Sequence, residues 1–278
     1  MSSNGLRFVS AASVSLEEYA ALFTASFAGY RYPITFDAER LARRVRQEQH
    51  DLTHSLVAYA GARPVGVAAL AVRGERGWVG GFGVVPDERG RGRGRALMSA
   101  LVERARACGV RTLSLEVLAG NTAARALYER AGMRVTRDLL ILDRPADYVL
   151  PAAGRRGLKE APAAELLRHY WRLHAEPPAW QRELASLLAA DLRGLYVGGR
   201  RRPRAYALLG YGRADGNTYL SDLAAADAAA AVEMCAALDR VPGFIRAVNE
   251  PERSPFAALL LEHGFREVMR QHEMVMEL

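Results

Sequence analysis

Between an apolar strand pattern and an apolar helix pattern, the stretch Val84-Val85-Pro86-Asp87-Glu88-Arg89-Gly90-Arg91-Gly92-Arg93-Gly94-Arg95-Ala96-Leu97 alternates glycine with arginine. Glycines at 90, 92 and 94 let main-chain amides approach a ligand unobstructed, and the start of a helix presents N–H groups that have no intrahelical acceptor. That combination binds phosphate. No Gly-Lys-Ser/Thr follows, so the segment is not a P-loop. Two antiparallel-looking strands precede it, whereas a dinucleotide fold would place the glycines after the first strand of a parallel unit. An arginine-glycine tail that binds RNA would be disordered, and here an apolar helix follows at once from Leu97.

Charge points to the same half of the chain. Residues 1–145 carry 21 arginines against 14 Asp and Glu, and residues 146–278 carry 17 basic against 17 acidic residues, so the whole formal +7 lies in the first half. A polyanionic ligand is expected there. Lys159 is the sole lysine, which reads as compositional bias, so the position of an arginine is more informative than the total. With 50% hydrophobic and 25% charged residues the chain is that of a globular protein, and its 278 residues suit two domains of roughly 140. No apolar run nears the roughly 18–20 residues of a membrane span, and Met1-Ser2-Ser3-Asn4-Gly5 opens no secretion signal, so a cytoplasmic protein without a membrane partner is expected. Cys108 and Cys235 are too few for a disulfide framework or a cysteine metal site, and His50 with His54 has no third ligand, so no metal is expected.

The elements that must position the loop follow from periodicity. Leu16 to Phe27 and Asp37 to His50 are amphipathic helix patterns, the second N-capped by Asp37, with the aromatic loop Tyr30-Arg31-Tyr32-Pro33 between them. Ser55 to Ala60 and Val65 to Val72 form a hairpin pattern around Gly61 to Pro64, and Gly77 to Val85 is a third strand. Ala96 to Cys108 is a helix stopped by Gly109, Thr112 to Leu118 a strand, Thr122 to Ala131 a helix stopped by Gly132, and Met133 to Leu142 a final strand. After Pro145 the pattern begins again. The hairpin Leu195 to Leu209 repeats the first, with Pro203 standing 139 residues after Pro64, and Phe256 to Phe265 repeats Ala124 to Met133 at an offset of 132. The expected organisation is a domain over 1–145, a linker over 146–158, and a second copy over 159–278 opening with helices between Glu160 and Leu192.

The segment Leu115-Glu116-Val117-Leu118-Ala119-Gly120-Asn121-Thr122-Ala123-Ala124-Arg125-Ala126-Leu127-Tyr128-Glu129-Arg130-Ala131-Gly132-Met133 follows the glycine loop by one helix. Together the two resemble the GCN5-related N-acetyltransferase superfamily. Arg89-x-x-Gly92-x-Gly94 matches its Arg/Gln-x-x-Gly-x-Gly/Ala acetyl-CoA loop. Asn121, Ala124, Leu127, Tyr128 and Gly132 match its Asn-x-x-Ala-x-x-Leu-Tyr-x-x-x-Gly motif, with Met133 in place of the usual Phe. The resemblance covers residues 50–145 and implies an α+β fold, here in two copies, each a mixed and mostly antiparallel sheet flanked by helices.

The resemblance also implies roles. Gly90, Arg91, Gly92, Arg93, Gly94 and Arg95, with Arg89 before them, would hold the pyrophosphate of acetyl-CoA, arginine charge adding to a helix dipole worth about 0.3–1 kcal/mol when exposed. Phe82, Gly83 and Val84 would pair with the pantetheine arm, and Gly80, Gly81 and Gly83 would tolerate the bulge that splays the strands in such folds. Asn121 would bond the arm, cap the helix from Thr122, or do both. Tyr128 would meet the departing thiolate with a proton or a hydrogen bond. Deprotonation of the amine also needs a catalyst, because a lysine-like amine of pKa about 10.4 is neutral at pH 7 only to roughly 0.04%. The stretch around Glu116 is similar to bacterial ribosomal-protein N-terminal acetyltransferases, where a glutamate at this place is the base; Glu116 or a water chain is therefore the base here.

In the second copy the offset puts Arg253 at the place of Asn121, Leu260 at that of Tyr128 and Val248 at that of Glu116, and Ala224 to Val232 replaces the glycine-arginine loop. A degenerate domain without an acetyl-CoA loop is expected. Phe27, Tyr30, Tyr32 and Arg40 are the candidate walls of the acceptor site, because aromatic loops on a scaffold serve recognition. The expected activity is acetyl transfer to a primary amine of a small molecule or peptide, with no nucleic-acid partner, by a monomer or homodimer. A catalytically silent CoA-binding module is the alternative.

Overall fold

Side-chain caps start the first two helices. In the computed structural model, which describes residues 5–30, 35–149, 158–174, 176–212 and 216–278, Ser15 and Glu18 form a reciprocal capping box at the head of α1 (Leu16–Ser26). Asp37 caps α2 (Ala38–Glu48) through the Arg40 amide at 2.7 Å, and Gln49 ends it in the left-handed region at φ 60°. Ahead of both helices lies β1 (Leu6–Ser10), a five-residue strand that the sequence reading did not anticipate. Then come β2 (Leu56–Ala60), β3 (Arg63–Arg73), β4 (Arg76–Val84), α3 (Arg93–Ala107), β5 (Thr112–Leu118), α4 (Thr122–Arg130) and β6 (Arg134–Arg144).

The chain divides into two compact units. The first comprises residues 1–136 with 273–278, the second residues 137–272. A border after residue 145 is thereby corrected to one inside β6. From Leu139 to Arg144 that strand pairs antiparallel with β11 (Ile245–Pro251) of the second unit. The last residues of the chain bond instead within the first unit, where the Leu278 amide donates to the Arg111 carbonyl at 2.8 Å and Thr112 to the Glu277 carboxylate at 3.0 Å.

In the first unit β1, β2, β3 and β4 run antiparallel in that order, and β5 joins β4 in parallel. Helices α1 and α3 both pack on β3, and Phe23, Leu41, Val67, Leu70, Leu97, Leu101, Leu113 and Leu115 are part of one apolar cluster. Successive β5 residues alternate between buried and half-buried, so Leu113, Leu115 and Val117 enter the core while Ser114, Glu116 and Leu118 take the other face.

The second unit holds β7 (Glu160–Pro162), short helices α5 (Ala163–Leu167), α6 (Tyr170–Leu173) and α7 (Leu184–Leu188), then β8 (Leu192–Gly199), β9 (Arg202–Tyr211), β10 (Thr218–Ala225), α8 (Ala228–Leu238), β11, α9 (Ala257–Glu262) and β12 (Arg266–Glu277), whose end belongs to the first unit. Its order β7-β8-β9-β10-β11-β6 is antiparallel except for the parallel pair β10–β11. The expected opening helices between Glu160 and Leu192 are three helices of five residues or fewer and a single 3-10 turn, because Pro162, Pro177 and Pro178 break the run. Most of the expected linker, residues 150–157, lies outside the described residues. Among the described residues no helix is long and apolar enough to cross a membrane.

Candidate active site

Strands β4 and β5 pair only over Arg76–Trp78 and Thr112–Ser114. Beyond Trp78 they part, and the cause is visible in the β3–β4 ladder: Ala69 faces Gly81 and Leu70 faces Val79, leaving Gly80 as the extra residue of a bulge. Gly80 must be glycine here, since a Cβ would overlap both the Trp78 ring and the His50 ring. Past the bulge the Val85 amide donates to the Val65 carbonyl at 2.9 Å, so Val85 bonds towards β3. By strand alternation the main-chain groups of Val84 and Phe82 turn the other way, into the parting of the strands. Along that edge β5 no longer pairs with β4, and the Val84 carbonyl takes the Arg89 guanidinium instead.

The glycine-arginine segment continues from this edge. A single 3-10 turn over Pro86–Glu88 leads to Gly90 and Gly92, both left-handed with φ of 75° and 76°, and Gly92 caps α3. The helix starts three residues before the apolar pattern does. Its first intrahelical amide is that of Ala96, bonded to the Gly92 carbonyl at 3.2 Å, so the turn from Arg93 to Arg95 aims its amides out of the helix start.

The arginines divide the work. The Arg89 guanidinium donates to three main-chain carbonyls, those of Val84 at 2.9 Å and of Ser26 and Ala28 at 3.0 Å, so it fastens the loop to the C-terminal end of α1. Arg93 bonds the Glu88 carboxylate at 3.1 Å and Arg91 lies 3.9 Å from it. Arg95 is exposed and, among the described residues, has no ion-pair partner.

Helix α4 faces this loop, with Leu127 within contact distance of Gly94. Asn121 caps the helix through Oδ1, which accepts from the Ala124 amide at 3.2 Å, and its Nδ2 donates to the Tyr30 hydroxyl at 2.8 Å. Tyr128 is 6% exposed, and its ring meets Phe82 edge-on at 5.9 Å. Burial, then the neighbouring Tyr30, pushes its pKa well above that of a free phenol, so the group stays protonated. The Tyr30 phenol is also raised by burial, and its ring packs edge-on against Phe27 at 5.2 Å. Phe27, Tyr30 and Asn121 are thus linked by contact, as are Phe82 and Tyr128, and the Tyr30 phenol is close enough to act on that of Tyr128. Arg40 is not among them: it bonds the Thr35 carbonyl at 3.0 Å and lies over the Phe36 ring. Tyr32 lies outside the described residues.

Glu116, half-buried on β5, accepts a hydrogen bond from the Trp78 indole at 2.9 Å. The sequence reading missed Trp78, although a tryptophan inside the glycine-rich stretch Gly77 to Gly83 was a usable signal. Neither cysteine is prepared as a nucleophile, because burial raises the Cys108 thiol and pushes that of Cys235 up to about 12. Among the described residues no three His, Cys, Asp or Glu side chains gather as metal ligands.

A family model described as Acetyltransferase (GNAT) family matches residues 16–133, which contain the loop, the bulge and both helices of this site. That likeness spans less than half of the chain. The chain is also similar to an uncharacterized N-acetyltransferase of Bacillus subtilis, YycN, with 44% identity over 55 residues. That match spans 20% of this chain and 35% of the relative. Among solved structures, a GCN5-related N-acetyltransferase from Sphaerobacter thermophilus superposes with a TM-score of 0.69 at 17% identity, covering 98% of this chain and 95% of that one. A putative acetyltransferase from Pyrococcus horikoshii gives 0.68 at 16%, covering 98% and 89%. A tandem GNAT protein from the clavulanic acid biosynthesis pathway gives 0.65 at 17%, covering 98% of each chain. At such identities the likeness is one of fold, and the fold is two GNAT-like units in tandem, each a mixed and mostly antiparallel sheet with flanking helices.

Proposed function

We propose that the GNAT domain is an acetyl-CoA-dependent N-acetyltransferase acting on a primary amine of a small molecule or peptide, with donor and acceptor bound together. The observation that carries this reading is the edge of β4 that β5 no longer pairs with, where the main chain of Phe82 and Val84 leaves the sheet beside Tyr128 and runs into the amide-lined start of α3. A strand edge that its neighbour has left suits the amides of a pantetheine arm, and main-chain N–H groups at a helix start suit a pyrophosphate. Phe82, Gly83 and Val84 would hold the first; Gly90, Arg91, Gly92, Arg93, Gly94 and Arg95 would hold the second, on a loop that Arg89 fastens. Asn121 would bond the arm with the N–H now given to Tyr30.

Acetyl-CoA supplies an activated acetyl thioester and a thiolate leaving group. Glu116 takes the proton from the attacking amine, directly or through water. The Val84 N–H faces the carbonyl oxygen as its negative charge grows, and Tyr128 holds a proton ready for the sulfur. Phe27 and Tyr30 wall the acceptor's approach.

The second unit would not take acetyl-CoA. β10 runs almost directly into α8 without a glycine loop, and Asp227 already places its own carboxylate on the Ala230 amide at 2.8 Å, where a phosphate would have to bind. The two strands that part there are equally occupied: buried Arg182 is paired with Asp222 of β10 and Glu250 of β11. This unit is read as a degenerate copy.

The test is turnover of acetyl-CoA with a panel of amines, followed by thiol release. Tyr128→Phe should retain acetyl-CoA affinity and lose about 10²- to 10⁴-fold in kcat, the range of a positioned proton donor. Unchanged turnover would remove Tyr128 from the reaction, and acetyl-CoA binding without turnover of any amine would leave a silent CoA-binding module.

A further inference from the structure

A carboxylate that serves as a base must hold its direction, and the last torsion of a glutamate is broad. Glu116 stands on β5 beyond the point where β4 parts from it, so no β4 neighbour stands in register with it. Its orientation comes from Trp78. The indole is 2% exposed and donates to Glu116 Oε2 at 2.9 Å.

The indole packs against the His50 ring, and that ring is held by polar contacts from α2 and the turn after it. His50, 7% exposed, lies with its ring 5.8 Å from that of Trp78, and its Nδ1 is buried without a hydrogen-bond partner. His50 Nε2 meets Glu48 Oε2 at 2.9 Å, and Arg44 Nε bonds the same oxygen at 2.7 Å. Arg44 Nη2 then reaches the carbonyl of Gly80, the bulge residue, at 2.6 Å. The bulge that parts the strands therefore also leaves room for the Trp78 and His50 rings and receives the tie that holds their frame.

An unsatisfied buried imidazole nitrogen costs stability. The frame holds the His50 ring against the indole and demands glycine at position 80. We infer that Trp78 is a positioning residue for Glu116, held by Arg44, Glu48 and His50; the inference rests on the reading of Glu116 as the base. Trp78 touches neither acceptor nor donor in this account. It acts by fixing one carboxylate oxygen, and so the direction from which the amine's proton is taken.

The experiment is a double-mutant cycle on the full chain, with Trp78→Phe, Glu116→Gln and both together, supported by replacement of the Trp78 indole with its benzothiophene analogue. The analogue keeps ring shape and removes the N–H, so it stands in if Trp78→Phe does not fold. Glu116→Gln should lower kcat by about 100-fold or more. Loss of the N–H should lower kcat by about 10- to 100-fold, as for a hydrogen bond to a charged group, with acetyl-CoA affinity and acceptor KM within about twofold of the parent. In the Glu116→Gln background the Trp78 change should cost nothing more, because it acts through the carboxylate. If Glu116→Gln is impaired but the Trp78 changes leave kcat intact, or cost the same in both backgrounds, Trp78 is a packing residue and the inference fails while the base survives. Full activity in Glu116→Gln would overturn the base, and this inference with it.

Discussion

An amide N–H already given to one acceptor serves another only by leaving the first. One N–H of Asn121 Nδ2 is given to the Tyr30 hydroxyl at 2.8 Å, and Oδ1 is committed to the Ala124 amide, so a pantetheine arm that takes that same N–H must displace Tyr30. Tyr30→Phe removes the competitor and keeps the ring that packs on Phe27 at 5.2 Å. A net hydrogen bond of this kind contributes about 0.5–1.5 kcal/mol, so acetyl-CoA should bind about 2- to 12-fold more tightly to the variant. The free protein should lose a similar amount of stability, since the same bond is missing before the ligand arrives. Calorimetric titration gives the first quantity and denaturant unfolding the second. In an Asn121→Ala background, Tyr30→Phe should leave acetyl-CoA affinity unchanged. Weaker binding in the single variant would mean that the hydroxyl contacts the ligand, and unchanged binding that the arm takes the other N–H of Asn121 or neither; each outcome refutes the exchange.

Other predictions concern stability and the second unit. Burial would raise the Glu48 carboxyl, but Arg44 and His50 outweigh it and hold its pKa below the ordinary value. A lowered folded-state pKa contributes stability that is present above the unfolded carboxyl value of about 4.3 and is lost as pH falls through the folded one; Glu48→Gln should therefore flatten the acid limb of the stability curve below about pH 4.3, and an unchanged limb would contradict the pairing. Arg182→Ala leaves Asp222 and Glu250 buried without their cation and should cost about 3–5 kcal/mol in chemical denaturation, a loss under about 1 kcal/mol being incompatible with the burial described.

Local signals were legible, and contacts between distant segments were not. The caps Asp37 and Asn121 and the glycine stops near 109 and 132 locate helix ends, because a cap is chemistry between neighbours. The loop was recognisable for the same reason. The acceptors of Arg89 were not legible, because the carbonyls ending α1 lie about 60 residues away in sequence. The partner of Glu116 is 38 residues distant and depends on the register of a parallel ladder three pairs long. β1 escaped notice because five residues with a single fully buried side chain carry little periodicity. The unit border inside β6 was hidden too, since a strand's sequence does not reveal which neighbour it will pair with.

The central claim is that one anion-binding loop, in the first unit, takes acetyl-CoA. Calorimetric titration of the full chain with acetyl-CoA tests it most directly, alongside Gly92→Val, which forces a β-branched residue to φ 76°, and Asp227→Asn at the head of α8. The account predicts one site per chain, lost in Gly92→Val and kept in Asp227→Asn. No binding, two sites per chain, or affinity indifferent to Gly92→Val would contradict it.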